Sequence, residues 1–303
     1  MDERPEGRHV TGKLIRPGGG PVVGRLVRAP STPFPRLLGR AVRAAFRAPS
    51  FALALAGAIL VSRAGWGVAV LLVVHALLGD GLTLGIALGL GSSAALLSGV
   101  VELALWAGAI PVLAARMRGA KVSAWGPVFA RGVELLFGPM LGVGLFRVAA
   151  WLLFQLASVG TAVAFLMALV AGPASVGLLI PVVFLLLAGD LLWRVLAWIA
   201  IARIGACKED LVTSLFAGLR QLARRPTAHL LTFFGTNLAL SIGGGGTAAI
   251  VLAGLGGASP LGAIFMALSA SLVAGMVLLV AMSVYTALTL DAALPPREPE
   301  PAG

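Results

Sequence analysis

Two patterns alternate along this chain. Short segments with apolar positions at helical spacing and arginines on another side give way, each time at a proline, to long runs almost free of charge. From Arg36 to Ala48, Leu38, Val42 and Phe46 share one face while Arg36, Arg40, Arg43 and Arg47 share another, and Pro49 follows. From Val122 to Leu136, Val122, Trp125, Phe129, Val133 and Leu136 align with Arg131 and Glu134 off the stripe, ahead of Pro139. From Asp210 to Arg225, Leu211, Leu215, Gly218 and Leu222 oppose Thr213, Arg220 and Arg224, ahead of Pro226. This pattern predicts helices lying at a bilayer surface near 36–48, 122–136 and 210–225. Each proline fits the first turn of a new helix and predicts a change of direction there.

The uncharged runs predict the crossings. A hydrocarbon core of roughly 30 Å takes about 20 residues at about 1.5 Å each. Runs of that length or more lie at about 51–78, 84–115, 139–170, 175–202, 229–253 and 261–288. The expected fold is therefore all-α: a polytopic membrane domain over 36–290 with six transmembrane helices. A flexible basic cytoplasmic tail, 1–35, precedes it and a disordered cytoplasmic tail, 291–303, follows. The three prolines are 90 and 87 residues apart, and Arg43, Arg47 and Pro49 match Arg220, Arg224 and Pro226. That spacing suggests three tandem units, each an amphipathic helix plus a membrane hairpin. A basic loop ahead of every inward-starting span would give the same spacing without any repeat.

Composition narrows the class further. The chain is 59% hydrophobic and 12% charged, with a mean hydropathy of +0.99, whereas a soluble domain carries about a quarter charged residues. Too few polar residues exist to coat a core, so lipid must solvate much of the surface. Strands of a membrane barrel would alternate over roughly ten residues, which these runs do not.

The net charge of +11 matters through its location. Ten of the 23 basic residues precede Pro49, and others cluster at Arg116, Arg118, Lys121 and Arg131 and at Arg203, Lys208, Arg220, Arg224 and Arg225. The turns near 79–84, 171–175 and 254–260 hold no Lys or Arg. The positive-inside rule then predicts cytoplasmic termini in a bacterial inner membrane, with anionic lipid as the partner of the basic face. Nucleic acid is not an expected partner. The lone Cys207 allows no internal disulfide. No cleavable signal is expected, since the first apolar run starts only at Phe51.

Charges at bilayer depth are the sharpest pointers to function, because insertion costs about 2.5–3.5 kcal/mol at the centre. The candidates are Arg63, Glu102, Arg147, Asp190 and Arg194, with Asn237 as a polar neighbour. Arg63 and Glu102 fall at similar heights on consecutive spans. Asp190 and Arg194 are four apart and meet on one face, with Arg147 at a similar depth. Gly243, Gly244, Gly245 and Gly246 predict a break in the fifth span, as in transporters whose discontinuous helices bind substrate. Ala263, Ala267, Ser271 and Gly275 give the sixth span a smooth stripe for a neighbouring helix.

No catalytic motif and no metal-ligand spacing occurs, and no cofactor is expected: HExxH, GxSxG and CxxC are absent, and the histidines are His9, His75 and His229. The favoured reading is a small permease or a lipid or anion transporter, as a homo-oligomer or beside a membrane partner. The alternatives are an assembly partner, with sealed ion pairs and a groove on the stripe, and an intramembrane enzyme using Glu102 or Asp190 with His75.

Overall fold

Backbone amides in lipid must be satisfied within their own segment, so leucine- and alanine-rich runs become helices and prolines mark where they restart. The computed structural model describes residues 32–77, 81–120, 125–171, 173–242, 252–253, 256 and 259–293. These form α1 (Phe34–Phe46), α2 (Pro49–Leu77), α3 (Gly81–Met117), α4 (Trp125–Ala171), α5 (Pro173–Cys207), α6 (Leu211–Arg224), α7 (Pro226–Ile242) and α8 (Pro260–Ala293). The protein is all-α, with the several long apolar helices of a polytopic membrane protein.

Among the described residues five helices, not the expected six, are long and apolar enough to cross a bilayer: α2, α3, α4, α5 and α8. The difference lies in α7. Its 17 residues rise roughly 25 Å, short of the ~20 residues a crossing needs. The glycines expected to break that span, Gly243 to Gly246, lie outside the described residues, as do most of the N-terminal tail, Asp80 and Lys121.

The proline-started units differ among themselves. Pro49 begins α2 and Pro226 begins α7, each directly behind a short amphipathic helix. At Pro139 no restart occurs: α4 runs 47 residues from Trp125 to Ala171. Proline removes one helical hydrogen bond there, a loss that dense packing offsets, and Met140 and Val143 beside it are fully buried. The buried face of α1 also departs from expectation. Leu37, Ala41, Ala44 and Ala45 pack inward, while Leu38 and Phe46 stay exposed. The small stripe allows close approach to α8; the bulky stripe is left for lipid.

α8 is the axis. It touches α1, α2, α3, α5 and α7, and from Leu278 to Thr289 nearly every side chain is buried. Its Ala263, Ala267, Ser271 and Gly275 stripe is buried and meets α2 at Gly275, where a β-carbon would run into the Ala52 carbonyl. The Gly85 and Gly89 pair, by contrast, has open space where β-carbons would be. The core is concentrated toward the basic turns: Trp106, Ile110 and Leu113 of α3, Ile199 and Ile204 of α5, and Leu279 and Met282 of α8 are fully buried. Farther out, α4 and α5 expose Leu153, Leu156, Phe184 and Leu185. An apolar surface of that extent requires lipid.

The arginines of the basic turns also cap helices. Arg116 Nη1 donates to the Arg47 carbonyl at 2.8 Å, and Arg118 Nη2 to the Ala206 carbonyl at 3.2 Å. C-terminal carbonyls lack intrahelical donors and carry the negative end of the helix dipole, so cations are favoured there.

Candidate functional site

Four of the residues expected to matter come together. Glu102 of α3, Arg147 of α4, Arg194 of α5 and Asn237 of α7 line one cavity of about 160 Å³, with Trp198, Phe233, Thr236 and Tyr285 among its other walls. Helical phase explains the convergence. On α3, Glu102 and Trp106 are one turn apart, and the indole Nε1 donates to the carboxylate at 3.1 Å. On α5, Arg194 and Trp198 are likewise one turn apart, and the Arg147 guanidinium lies 6.0 Å from the Trp198 ring centre, within cation–π range.

Asp190 stands next to this chamber. Its carboxylate accepts from Arg194 Nε at 2.7 Å, as an i,i+4 pair. It lines a second, larger cavity of about 570 Å³ between α4 and α5, with Trp151, Phe154, Phe165 and Leu187 on its walls. Arg194 borders both spaces. Arg63, on α2, lines neither. Neither Glu102 nor Arg147 belongs to any of the four ion pairs among the described residues. The chamber therefore offers one carboxylate and one guanidinium not committed to each other.

Three polar side chains of α7 bond within their own helix. Thr232, Thr236 and Asn237 donate to the carbonyls of Ala228, Thr232 and Phe233 at 2.8, 2.6 and 2.8 Å. Such back-bonding lets an apolar helix carry polar groups and tends to bend it. The Asn237 and Thr236 oxygens keep acceptor capacity toward the chamber.

Toward the basic turns the chamber is stoppered by rings. Trp198 stacks on Tyr285 with centres 6.0 Å apart, and Tyr285 on His229 at 5.7 Å. Below them lies a buried polar network absent from the sequence reading. Arg203 grips Glu209 with Nε at 2.8 Å and with Nη2. Its Nη1 reaches Gln221 Oε1 at 3.0 Å, and Gln221 Nε2 reaches Thr289 at 3.3 Å and stands 3.4 Å from His229 Nε2. The available sequence signals were Tyr285, the chain's single tyrosine, sitting in an apolar run, and Gln221 and His229 flanking Pro226.

Comparison with protein-family models, with curated proteins and with solved structures finds nothing that matches this chain. The site is therefore read from its own chemistry. A carboxylate, two guanidiniums and an amide facing one small space can bind a charged group and desolvate it; nothing in the set is a nucleophile paired with a base.

Proposed function

We propose that the chain is a six-pass carrier of a bacterial cytoplasmic membrane, with both ends in the cytosol, that holds the anionic group of a lipid or solute in this chamber. The observation that carries this reading is the convergence of Glu102, Arg147, Arg194 and Asn237 from four helices on one cavity. Charges that merely stapled hairpins would be spread over separate sealed pairs.

Parity supports six crossings. Thr32 and Asp291, near the two ends of the described chain, are hydrogen-bonded, which supports an even number of passes between them. Five long helices then need a sixth leg, which α7 begins. Against the assembly-partner reading, the stripe on α8 is buried within the chain, and α2 packs against it at Gly275.

Proteoliposomes provide the test, with two probes: inorganic phosphate uptake and transbilayer movement of a tail-labelled fluorescent phospholipid. At least one probe is expected to move tenfold faster than in protein-free vesicles and to return to background in Arg147→Gln. If neither moves faster than background, the carrier reading falls.

A further inference from the structure

We infer that the moving group is the headgroup of an inner-leaflet phospholipid bearing a phosphate and a primary ammonium, with one of its chains lying in the groove between α4 and α5. The inference rests on the carrier reading above and adds the ligand class.

The chamber is small. Its volume of about 160 Å³ suits a compact charged group rather than a large solute. The adjoining space of about 570 Å³ falls within the ~300–1,000 Å³ of ordinary ligand sites. Its character differs from the chamber's. The Ser158 and Thr161 hydroxyls on its wall donate to their own helix, to the carbonyls of Phe154 and Ala157 at 2.7 and 2.8 Å. Apart from Gln155 and the Asp190–Arg194 pair, the groove thus presents aromatic and aliphatic surface to whatever fills it. From Trp151 to Leu166 it follows α4 for roughly 22 Å. It leads away from the basic turns, the direction an acyl chain takes from a cytoplasmic-side headgroup. A polar chamber opening at Arg194 into an apolar channel is the shape of an amphiphile.

Charge selects the headgroup. Asp190 already neutralises Arg194 in an ion pair, leaving Arg147 and Glu102 as one positive and one negative group with no ionic partner among the described residues. A purely anionic headgroup would satisfy Arg147 and leave Glu102 facing added negative charge, which is costly in a low-dielectric site. A headgroup carrying both charges satisfies both: phosphate against the two guanidiniums, which favour bidentate contact, and ammonium against Glu102 and the Asn237 oxygen. A quaternary ammonium has no N–H for these acceptors.

The test is native mass spectrometry of the full chain in detergent, titrated with phosphatidylethanolamine, phosphatidylglycerol, phosphatidylcholine and chainless glycerophosphoethanolamine. Phosphatidylethanolamine is expected to bind at least tenfold more tightly than the other two lipids. Glu102→Gln should lose that preference and favour phosphatidylglycerol, and Ala162→Trp, which fills the groove, should weaken every lipid tenfold or more. Val183→Trp fills it from the opposite wall, should Ala162→Trp not fold. Equal binding of phosphatidylethanolamine and phosphatidylglycerol, or an unchanged ratio in Glu102→Gln, overturns the headgroup assignment. If glycerophosphoethanolamine competes as well as the intact lipid, the groove claim fails while the chamber stands. If Arg147→Gln changes no binding at all, the chamber fails with it.

Discussion

The Thr32 hydroxyl donates to the Asp291 carboxylate at 2.6 Å, joining positions 259 residues apart. Arg225 completes the junction, with Nη2 2.7 Å from the other Asp291 oxygen and Nη1 3.4 Å from the Thr32 carbonyl. The two ends of the helical unit are therefore on one face. Cysteines introduced at 32 and 291 are expected to react with an impermeant maleimide from the same side, and a cysteine at 80 from the other. Labelling of 32 and 291 from opposite sides contradicts the even number of passes proposed above, and labelling of 32 and 80 from one side contradicts a crossing by α2.

The Arg203 network should behave as a buried pair. Arg203 and Glu209 side chains are 10% and 19% exposed, and removing one partner from such a pair strands the other charge at a cost of about 3–5 kcal/mol. Arg203→Ala is expected to lower the unfolding temperature sharply in detergent. Arg203→Met with Glu209→Leu should recover most of the loss, because nothing charged is then left without water. An unaltered melting curve for Arg203→Ala would mean that the network is solvated.

Gly275 and Gly89 form a matched contrast. A β-carbon at 275 would meet backbone, the Ala52 carbonyl and the Ala56 nitrogen, while one at 89 would meet nothing within 4 Å. Gly275→Leu is expected to cost about 1–3 kcal/mol through forced separation of α2 and α8. Gly89→Ala should be neutral or stabilising by about 0.5–1 kcal/mol, since glycine gives up more chain entropy in a helix. Thermal unfolding of the two variants side by side decides it.

Asp210 gives α6 a pH dependence. Its carboxylate caps the helix, accepting from the Thr213 hydroxyl at 2.6 Å and the Thr213 amide at 2.9 Å. These bonds hold its pKa below the ordinary carboxylate value. A depressed pKa in the folded state means that the cap contributes above the ordinary value and fades as pH falls through the lowered one. Amide exchange in residues 211–214 should therefore be faster in Asp210→Ala than in the wild type at neutral pH. The difference should vanish in strong acid. A gap that persists there would assign the protection to something other than the ionised carboxylate.

Much of the architecture could be read from residue order because lipid solvation writes it in long uncharged runs, and those around α2, α3, α5 and α8 are unmistakable. Pro49 and Pro226 also announce helix starts. Pro139 does not, because whether a proline interrupts a membrane helix depends on packing by other segments, and Met140 and Val143 are buried by neighbours that local pattern does not specify. Depth counted along helices brought Arg147 and Arg194 to similar heights, yet rotational phase sets which charges share a space. The grouping of Glu102 with Arg147, Arg194 and Asn237 is a four-helix property. Arg203, assigned from sequence to topology alone, needed its partners Glu209 and Gln221 folded beside it before a second role became visible.

Toward the basic turns α4 and α5 are packed into the core, where their own Val143 and Val195 are fully buried, while their far stretches carry side chains as open as Leu156, 71% exposed, and Leu187, 66% exposed. The pair is thus held at both ends, by the core near the basic turns and by the chain itself at the other, where one residue separates Ala171 from Pro173, with the stretch between bordered by the surrounding fluid. How far that stretch bows open depends on bilayer thickness and lateral pressure as well as on the polypeptide. Spin labels at 156 and 187 should report different spacings in thin and thick bilayers, while labels at 143 and 195 stay put. Any ligand seated between the two helices would then feel the membrane's composition through that bowing.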